Sequence, residues 1–348
     1  MKSAITYRYF RDIKDIKRQW LFLQKQCISV SPFMSYEFMS IAISRLWYYF
    51  LFKRAKTLFA LFTEDGDSKP IAIVPLIKLH SGKYELFIHL NGFEYSDILS
   101  VDSNVATTCL SILQKDGICF DAYWVRSDSI AFEWMAQNYT KRVQIANVAI
   151  RFASHKSWFD GLSKSVRQNI RTSYNRLSRD NHRYHLLVLR GGDKFASRYD
   201  NGDYSTSTTG MRKKSLFDKT MSLYFLRHDE RYNVSTSLIK RILLRYCHFA
   251  TSNYENNSQC LTIALFIDDK LAAFSSGVVN LSGDTYVIPR LSINSDLRFF
   301  SPGVLLISES IRLFSAMTNI HMYDLGCGEE KYKYDLGGIN HFSYHFFQ

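Results

Sequence analysis

The sequence has little proline and no long uninterrupted apolar run. Only five prolines occur in 348 residues. The most apolar stretch, residues 46–62, is broken by three basic residues at positions 53–56, so it falls short of the roughly 20 residues that a membrane-spanning helix needs. The first residues of the chain lack the apolar core and small-residue cleavage site of a secretion signal. We therefore expect a cytoplasmic protein without stable membrane insertion.

Several catalytic and metal-binding signatures are also missing. The six cysteines are scattered and form no CxxC pair, which argues against a disulfide framework and against a zinc site. No GxSxG elbow and no P-loop occur, so serine hydrolases and P-loop nucleotidases lose their main support. His341 and His345 are spaced too far apart along a strand to chelate one ion readily. We expect no metal.

Charge and composition indicate a globular protein with anionic partners. The net charge is +12 and 46% of the residues are hydrophobic. A basic surplus attracts polyanions such as CoA, nucleotide-linked sugars, anionic lipid or RNA, although a merely soluble basic surface gives the same number. The length exceeds one average core and suits two domains.

Two halves of the chain show a similar order of helices and strands. In the first, helical spacing links Ile13, Ile16, Trp20 and Leu23, and the pattern continues with a helix at 36–47 and strands at 57–62, 71–76 and 84–90. The second half shows helices at 156–179, 238–249 and 303–317, and strands at 261–267, 271–279, 285–293 and 320–325. This order predicts a mixed α/β fold with domains at 1–150 and 151–348. The polar residues 190–215 are interpreted as a mobile surface insertion.

The segment 297–306 has the chemistry of a diphosphate site. It lies between a predicted strand and an amphipathic helix, where free amides accept anions. Ser301 suits the helix cap, Gly303 permits close approach, and Arg298 supplies positive charge. The alternative is a well-capped helix that binds nothing.

A second candidate segment, residues 324–334, brings carboxylates, a phenol and an ammonium group just beyond a strand end. Ligand sites of α/β proteins commonly lie there. The alternative is a glycine-rich turn followed by a solvated charged helix. The basic helix at 164–179 likewise suits phosphate, but a solvated face is the simpler interpretation.

Together these segments resemble the tandem-GNAT acyltransferases of the CelD/BcsL family, which is associated with polysaccharide biosynthesis and related to the FemAB aminoacyltransferases. The matching pieces extend over nearly the whole chain: Ser31-Pro32-Phe33, Tyr95-Ser96-Asp97, the basic helix at 164–179, Ser301-Pro302-Gly303-Val304-Leu305-Leu306, Asp324-Leu325-Gly326 and Gly328-Glu329-Glu330-Lys331-Tyr332-Lys333. The insertion at 190–215 departs from the family pattern.

The resemblance implies two GNAT-like domains, each a mainly antiparallel sheet flanked by helices. Acetyl-CoA or another acyl-CoA would bind the second domain between strands 285–293 and 320–325, which are expected to splay apart. The residues implied to bind it are Arg298, Ser301, Gly303, Val304, Leu305 and Lys333. The first domain would shape the acceptor cleft, with Tyr95 and Asp97 binding substrate.

N-acyl transfer needs a base for the ammonium group and an acid for the leaving thiolate. Glu329, Glu330 or Asp324 are the candidate bases. The resemblance assigns the acid to Tyr332. The acceptor is expected to be an amine of an amino sugar, an amino acid or a cell-surface precursor. Aminoacyl transfer from tRNA and a non-catalytic scaffold are the alternatives.

Overall fold

The computed structural model describes residues 5–27, 31–45, 54–64, 69–87, 95–200, 207–232, 237–238, 241–242 and 259–348. The chain divides into an N-terminal unit, Met1–Ala146 with His341–Gln348, and a C-terminal unit, Asn147–Asn340. The sequence placed the break near residue 150 and assigned every later residue to the second domain. Residues His341–Gln348 instead join the first unit because their strand pairs there, with Ser343 opposite Arg126.

The N-terminal unit is built on a mainly antiparallel sheet. Its strands are β1 (Ile5–Phe10), β2 (Lys56–Glu64), β3 (Pro70–Lys78), β4 (Tyr84–Leu86), β5 (Leu99–Ser100), β6 (Phe120–Arg126) and, from the end of the chain, β15 (Gly338–Phe347). The order is β1-β2-β3-β4-β6-β15, and β5 pairs with β3. Within the described part of this unit, only the β4–β6 pair is parallel. The predicted strands at 57–62 and 71–76 are confirmed. The predicted turn at 65–67 and residues 88–90 of the third strand lie outside the described residues.

Helices cover this sheet where the sequence has helical spacing. They are a 3-10 turn (Ile13–Ile16), α1 (Lys17–Gln26), a second 3-10 turn (Pro32–Met34), α2 (Tyr36–Arg45), α3 (Ser103–Lys115) and α4 (Phe132–Asn138). Ile13, Ile16, Trp20 and Leu23 are all buried, as their spacing predicted. The sequence analysis missed β1, α3, β6 and α4.

The C-terminal unit is also built on mainly antiparallel strands. Its elements are β7 (Lys141–Arg151, shared with the first unit), α5 (His155–Gly161), α6 (Lys164–Arg179), β8 (Tyr184–Arg190), β9 (Phe195–Asp200), β10 (Ser207–Arg212), α7 (Lys213–Tyr232), β11 (Cys260–Ile267), β12 (Lys270–Val279), β13 (Thr285–Ile293), a 3-10 turn (Ser295–Phe300), α8 (Pro302–Met317), β14 (Met322–Cys327) and α9 (Lys331–Asp335). The strand order is β7-β14-β13-β12-β11-β8-β9-β10. Among the strand pairs whose register is described in this unit, only β13 and β14 run parallel.

Two sequence predictions need correction here. The helix predicted at 156–179 is two helices, because Ser163 ends the first and caps the second by accepting from the amide of Val166. The supposed insertion at 190–215 is largely ordered sheet: β9 pairs with β8, and β10 pairs with β9. Only its residues 201–206 lie outside the described residues, as does most of the predicted helix 238–249. Helix α7 was not predicted.

A buried polar network fixes helix α8 against its neighbours. Glu309 is buried, accepts a hydrogen bond from the Tyr174 hydroxyl, and lies 3.3 Å from Arg312. His155 Nε2 lies 3.1 Å from the Ser308 hydroxyl. Burial lowers the pKa of His155 to about 4, so its ring is neutral at neutral pH. The network therefore joins α5, α6 and α8 through hydrogen-bonded groups instead of leaving buried charge unpaired.

None of the helices in the described part of the chain is long and apolar enough to cross a membrane.

A bulge in β12 requires a glycine. The register between β12 and β13 shifts between Ser276 and Val278. A Cβ atom on Gly277 would lie 1.9 Å from the carbonyl oxygen of Val287, so no side chain fits without moving β13.

We expect Gly277→Ala to lower the free energy of unfolding by about 2 kcal/mol, because the added methyl group overpacks two paired strands. Urea denaturation followed by circular dichroism measures it. Gly161→Ala is the matched control, since a Cβ there meets no atom within 4 Å. Equal losses in the two variants would show that the close approach at Gly277 is not a constraint.

Candidate functional site

Strands β13 and β14 pair briefly and then separate. Their parallel register covers three positions, Thr285 with Met322, Tyr286 with Tyr323 and Val287 with Asp324. Beyond them β13 stays paired with β12 as far as Ile293. The separation predicted from the family resemblance is thus present, and it leaves one edge of the second half of β13 open.

The end of β14 is bent away by a local turn. Asp324 is fully buried, and its Oδ1 accepts from the amide of Gly326 at 2.9 Å. Gly326 has φ +66°, a left-handed conformation that favours glycine. The register with β7 shifts between Asp324 and Cys327. Asp324 therefore shapes the strand end.

The N-terminus of α8 lies at the opening. Ser301 has φ +51° and its side chain makes no capping hydrogen bond, so the predicted cap is wrong. Its carbonyl oxygen instead accepts from the amides of Val304 and Leu305, at 3.0 and 3.1 Å. A Cβ on Gly303 would lie 3.0 Å from Ile293 Cγ2, so the glycine lets α8 approach β13 closely.

A cavity of about 490 Å³ fills the space beside the separated strands. This volume lies in the range of small-molecule sites. The lining residues come from five parts of the C-terminal unit: Arg227, Leu291, Ser292, Ile293, Arg298, Ser301, Pro302, Gly303, Val304, Ile307, Glu330 and Tyr332.

Two arginines give the cavity a positive side. Arg298 is exposed in the 3-10 turn before α8, and Arg227 reaches in from α7. Arg227 also pairs with Glu230 at 3.0 Å, and Glu230 in turn accepts from the Ser295 hydroxyl at 2.9 Å. Guanidinium groups beside a helix N-terminus suit a phosphate or diphosphate group.

Sequence analysis missed Arg227 because it missed helix α7. A signal was present, since the buried residues Phe217, Met221 and Phe225 recur every four positions.

The cavity brings together half of the predicted site residues. Those that line it are Arg298, Ser301, Gly303, Val304, Glu330 and Tyr332. Leu305 does not, because it is fully buried in the hydrophobic core. Glu329 is exposed and lies 3.4 Å from the Tyr334 hydroxyl, also away from the cavity lining.

Lys333 holds the chain beyond β14. Its buried ammonium group donates to the carbonyl oxygens of Gly326, Cys327 and Gly328 at 3.2, 2.7 and 3.0 Å. It also lies 3.1 Å from Glu330 Oε2. These contacts account for the burial of Lys333, which the sequence analysis assigned to cofactor binding.

Tyr95 and Asp97 lie in the N-terminal unit and are completely buried. The Tyr95 carbonyl accepts from the Ser31 hydroxyl at 2.5 Å, and the Arg126 guanidinium lies 5.0 Å from the Tyr95 ring centre. Asp97 Oδ1 accepts from the amide of Ile98 at 2.9 Å. Their predicted substrate role requires these side chains to become accessible.

Within the described residues, no three or more His, Cys, Asp or Glu side chains are grouped to hold a metal ion.

Comparison with known proteins finds a family model that matches the region around the cavity. Residues 164–334, inside the C-terminal unit, match the family model for the acetyltransferase (GNAT) domain. No curated protein matches the chain. The match supports an acyltransferase. The narrower CelD/BcsL and FemAB resemblance stays a prediction.

Solved structures with a similar fold cover almost the whole chain. One is a conserved protein of unknown function from Bacteroides thetaiotaomicron, 11% identical with TM-score 0.51, covering 99% of this chain and 100% of that one. Another is the C-terminal domain of an Agrobacterium fabrum protein assigned as a lysylphosphatidylglycerol synthetase, 11% identical with TM-score 0.51, covering 95% and 90%. A third is L-PGS from Bacillus licheniformis, 9% identical with TM-score 0.50, covering 94% and 90%. At such identities the likeness shows a shared fold alone.

We expect Lys333→Met to lower the free energy of unfolding by about 3 kcal/mol, because three carbonyl oxygens and a carboxylate lose their common donor. Lys331→Met is the control: Lys331 is exposed and pairs only with Asp335 on the surface, so its loss should cost at most about 1 kcal/mol. Chemical denaturation gives both values. A Lys333 variant of unchanged stability but weakened acyl-CoA binding would restore the cofactor role.

Proposed function

We propose that the C-terminal unit transfers an acyl group, acetyl in the simplest case, from acyl-CoA to an amine. The supporting observation is the cavity that opens where β13 leaves β14, with the start of α8 on one side and Arg227 and Arg298 beside it. The matched GNAT domain covers all of these residues. The GNAT match and the cavity both support acyl transfer from acyl-CoA.

The donor fits the cavity by charge and by hydrogen bonding. The diphosphate would lie near Arg298, Arg227 and the first turn of α8, where the lack of a side-chain cap at Ser301 leaves the helix end to another acceptor. The open backbone edge at residues 291–293 suits the amide groups of the pantetheine arm. The thioester would then approach Tyr332.

Glu330 is the strongest candidate base of the three carboxylates predicted from the sequence. It lines the cavity with a side chain 39% exposed, and its Oε2 lies 3.1 Å from the Lys333 ammonium group. Asp324 is fully buried and committed to its turn, and Glu329 lies away from the cavity. Glu330 would take the ammonium proton, and the neutral amine would attack the thioester carbon.

Tyr332 would supply the proton that the leaving thiolate needs. Its ring lines the cavity and is 39% exposed, so the hydroxyl can reach a bound ligand. The C–S bond breaks as the C–N bond forms, the phenol protonates the sulfur, and the proton released by the new amide nitrogen restores the phenol. The acceptor would be an amine on an amino sugar, an amino acid or a cell-surface precursor.

The alternative donor is aminoacyl-tRNA. One protein of similar fold is assigned as a lysylphosphatidylglycerol synthetase, and lysylphosphatidylglycerol carries an aminoacyl group. A compact cavity with two arginines favours the CoA diphosphate, because tRNA needs a long surface that neutralises many phosphates. We therefore expect any tRNA binding to be weak, salt-sensitive and without aminoacyl transfer.

Gly303→Glu should abolish acetyl-CoA binding, since it places bulk and negative charge at the start of α8. Titration calorimetry compares it with wild type and with Gly161→Glu, where the same change points into open space. Equal affinity in all three proteins would remove the cavity from donor binding.

Tyr332→Phe should lower kcat by about a hundredfold while leaving the KM for the acyl donor nearly unchanged, because only proton delivery is lost. The assay follows labelled acetyl-CoA, and separately labelled aminoacyl-tRNA, over a panel of amines. Tyr334→Phe is the control, since Tyr334 bonds to Asn340 away from the cavity. An unaltered kcat would assign the proton to water or another group, and label passing only from tRNA would favour the alternative donor.

A further inference from the structure

A second, larger concavity lies beside the acyl-donor cavity. Its volume is about 790 Å³. It is formed by the end of β10, the first half of α7, the turn between β11 and β12, and Asn294 after β13. We call it the α7 groove.

The α7 groove is rimmed by positive charge. Arg212, Lys214, Lys219 and Lys270 line it and are all exposed, against the two carboxylates of Asp218 and Asp269. None of the four cations forms an ion pair with a carboxylate in the part of the chain that the structure describes. Four cations against two carboxylates leave the lining of the groove with a net positive charge, which attracts an anion.

The floor of the groove is apolar. Leu226 is 52% exposed there, and Leu223 and Leu271 extend the same surface. An anion alone would use only the rim. A ligand with a charged group and an adjoining carbon skeleton would use both rim and floor.

The groove and the donor cavity share a wall. Leu226 lines the groove while the next residue, Arg227, lines the cavity. At the end of β13, Ile293 lines the cavity and the next residue, Asn294, lines the groove. A molecule held in the groove is thus next to the donor cavity, on the side of Arg227 and Ile293.

We propose that the α7 groove is a phosphate-binding site that anchors the amine acceptor through a phosphate group on the acceptor molecule. The anchoring role rests on the proposed acyl transfer, but phosphate binding in the groove does not. The phosphate could belong to a soluble phosphorylated amine or to a lipid headgroup. Both present the same oxygen acceptors to the lysines.

The test uses inorganic pyrophosphate as the probe, titrated by calorimetry into the full chain. Wild type should show two sites, the cavity and the groove. Gly303→Glu should keep only the groove site. The double variant Lys219→Glu/Lys270→Glu should keep the cavity site and weaken the groove site about tenfold or more, since two exposed ion contacts become repulsive.

The matched control is Lys156→Glu/Lys164→Glu. It makes the same change in net charge at exposed lysines of α5 and α6, outside both concavities. It should bind pyrophosphate as wild type does. Equal weakening by the control would show that overall charge is responsible, and a groove variant with wild-type binding would also overturn the proposal.

Acceptor assays and vesicles separate the two sources of phosphate. Phosphoethanolamine should be acylated more efficiently than ethanolamine by wild type, and the groove variant should lose this preference without losing acetyl-CoA binding. Sedimentation with vesicles that contain phosphatidylethanolamine, whose headgroup carries both the phosphate and a primary amine, against phosphatidylcholine vesicles, asks whether the groove holds a lipid headgroup. Groove-dependent vesicle binding identifies the lipid source, and pyrophosphate binding without vesicle binding identifies the soluble one.

Different results would contradict the acyl-transfer proposal and the phosphate-site proposal. If no amine is acylated but the groove still binds pyrophosphate, acyl transfer is wrong and the phosphate site stands. If acetyl transfer occurs with no preference for a phosphorylated amine and no second pyrophosphate site appears, the groove proposal is wrong and the transfer stands.

Discussion

The candidate site depends on the separation of β13 from β14 after three paired positions. Paired strands leave no room for a ligand, because their backbone groups satisfy each other. Separated strands expose donors and acceptors that must then bond to water or to a ligand. At the cavity, β13 and β14 therefore lack the hydrogen bonds that paired strands would make. Other interactions in the unit have to compensate for that loss of stability.

The offsetting interactions lie on both sides of the opening. On the β14 side, Asp324 fixes the turn at Gly326, and the ammonium group of Lys333 gathers the carbonyl oxygens that the bent strand leaves behind. On the β13 side, the bulge at Gly277 keeps β12 and β13 in contact although their register shifts. Asp324 and Lys333, which the sequence suggested as a base and a cofactor ligand, thus make the contacts that shape the end of β14, and their functional roles stay predictions.

The limits of several helices and strands could be predicted from the sequence, whereas the contacts of individual side chains in the folded protein could not. Strand β13 was predicted with its observed limits, and α8 and β12 within one residue, because turns and helix breakers bound them. The cavity at the start of α8 was found from the chemistry of residues 298–304. Nothing in local spacing distinguishes Lys333, whose partners lie five to seven positions earlier, from an exposed lysine such as Lys331. Lys333 differs from Lys331 in being buried, and the burial of a side chain depends on the whole fold.

The two arginines show how the site depends on tertiary structure. Arg298 precedes the helix whose N-terminus it faces, so a short segment of sequence was enough to find it. Arg227 comes from α7, about seventy positions earlier, and reaches the cavity only because α7 packs beside the end of β13. The same helix faces the α7 groove with Lys219 and Leu226. Helix α7 thus forms the wall between the two concavities, so any movement of it would change both at once.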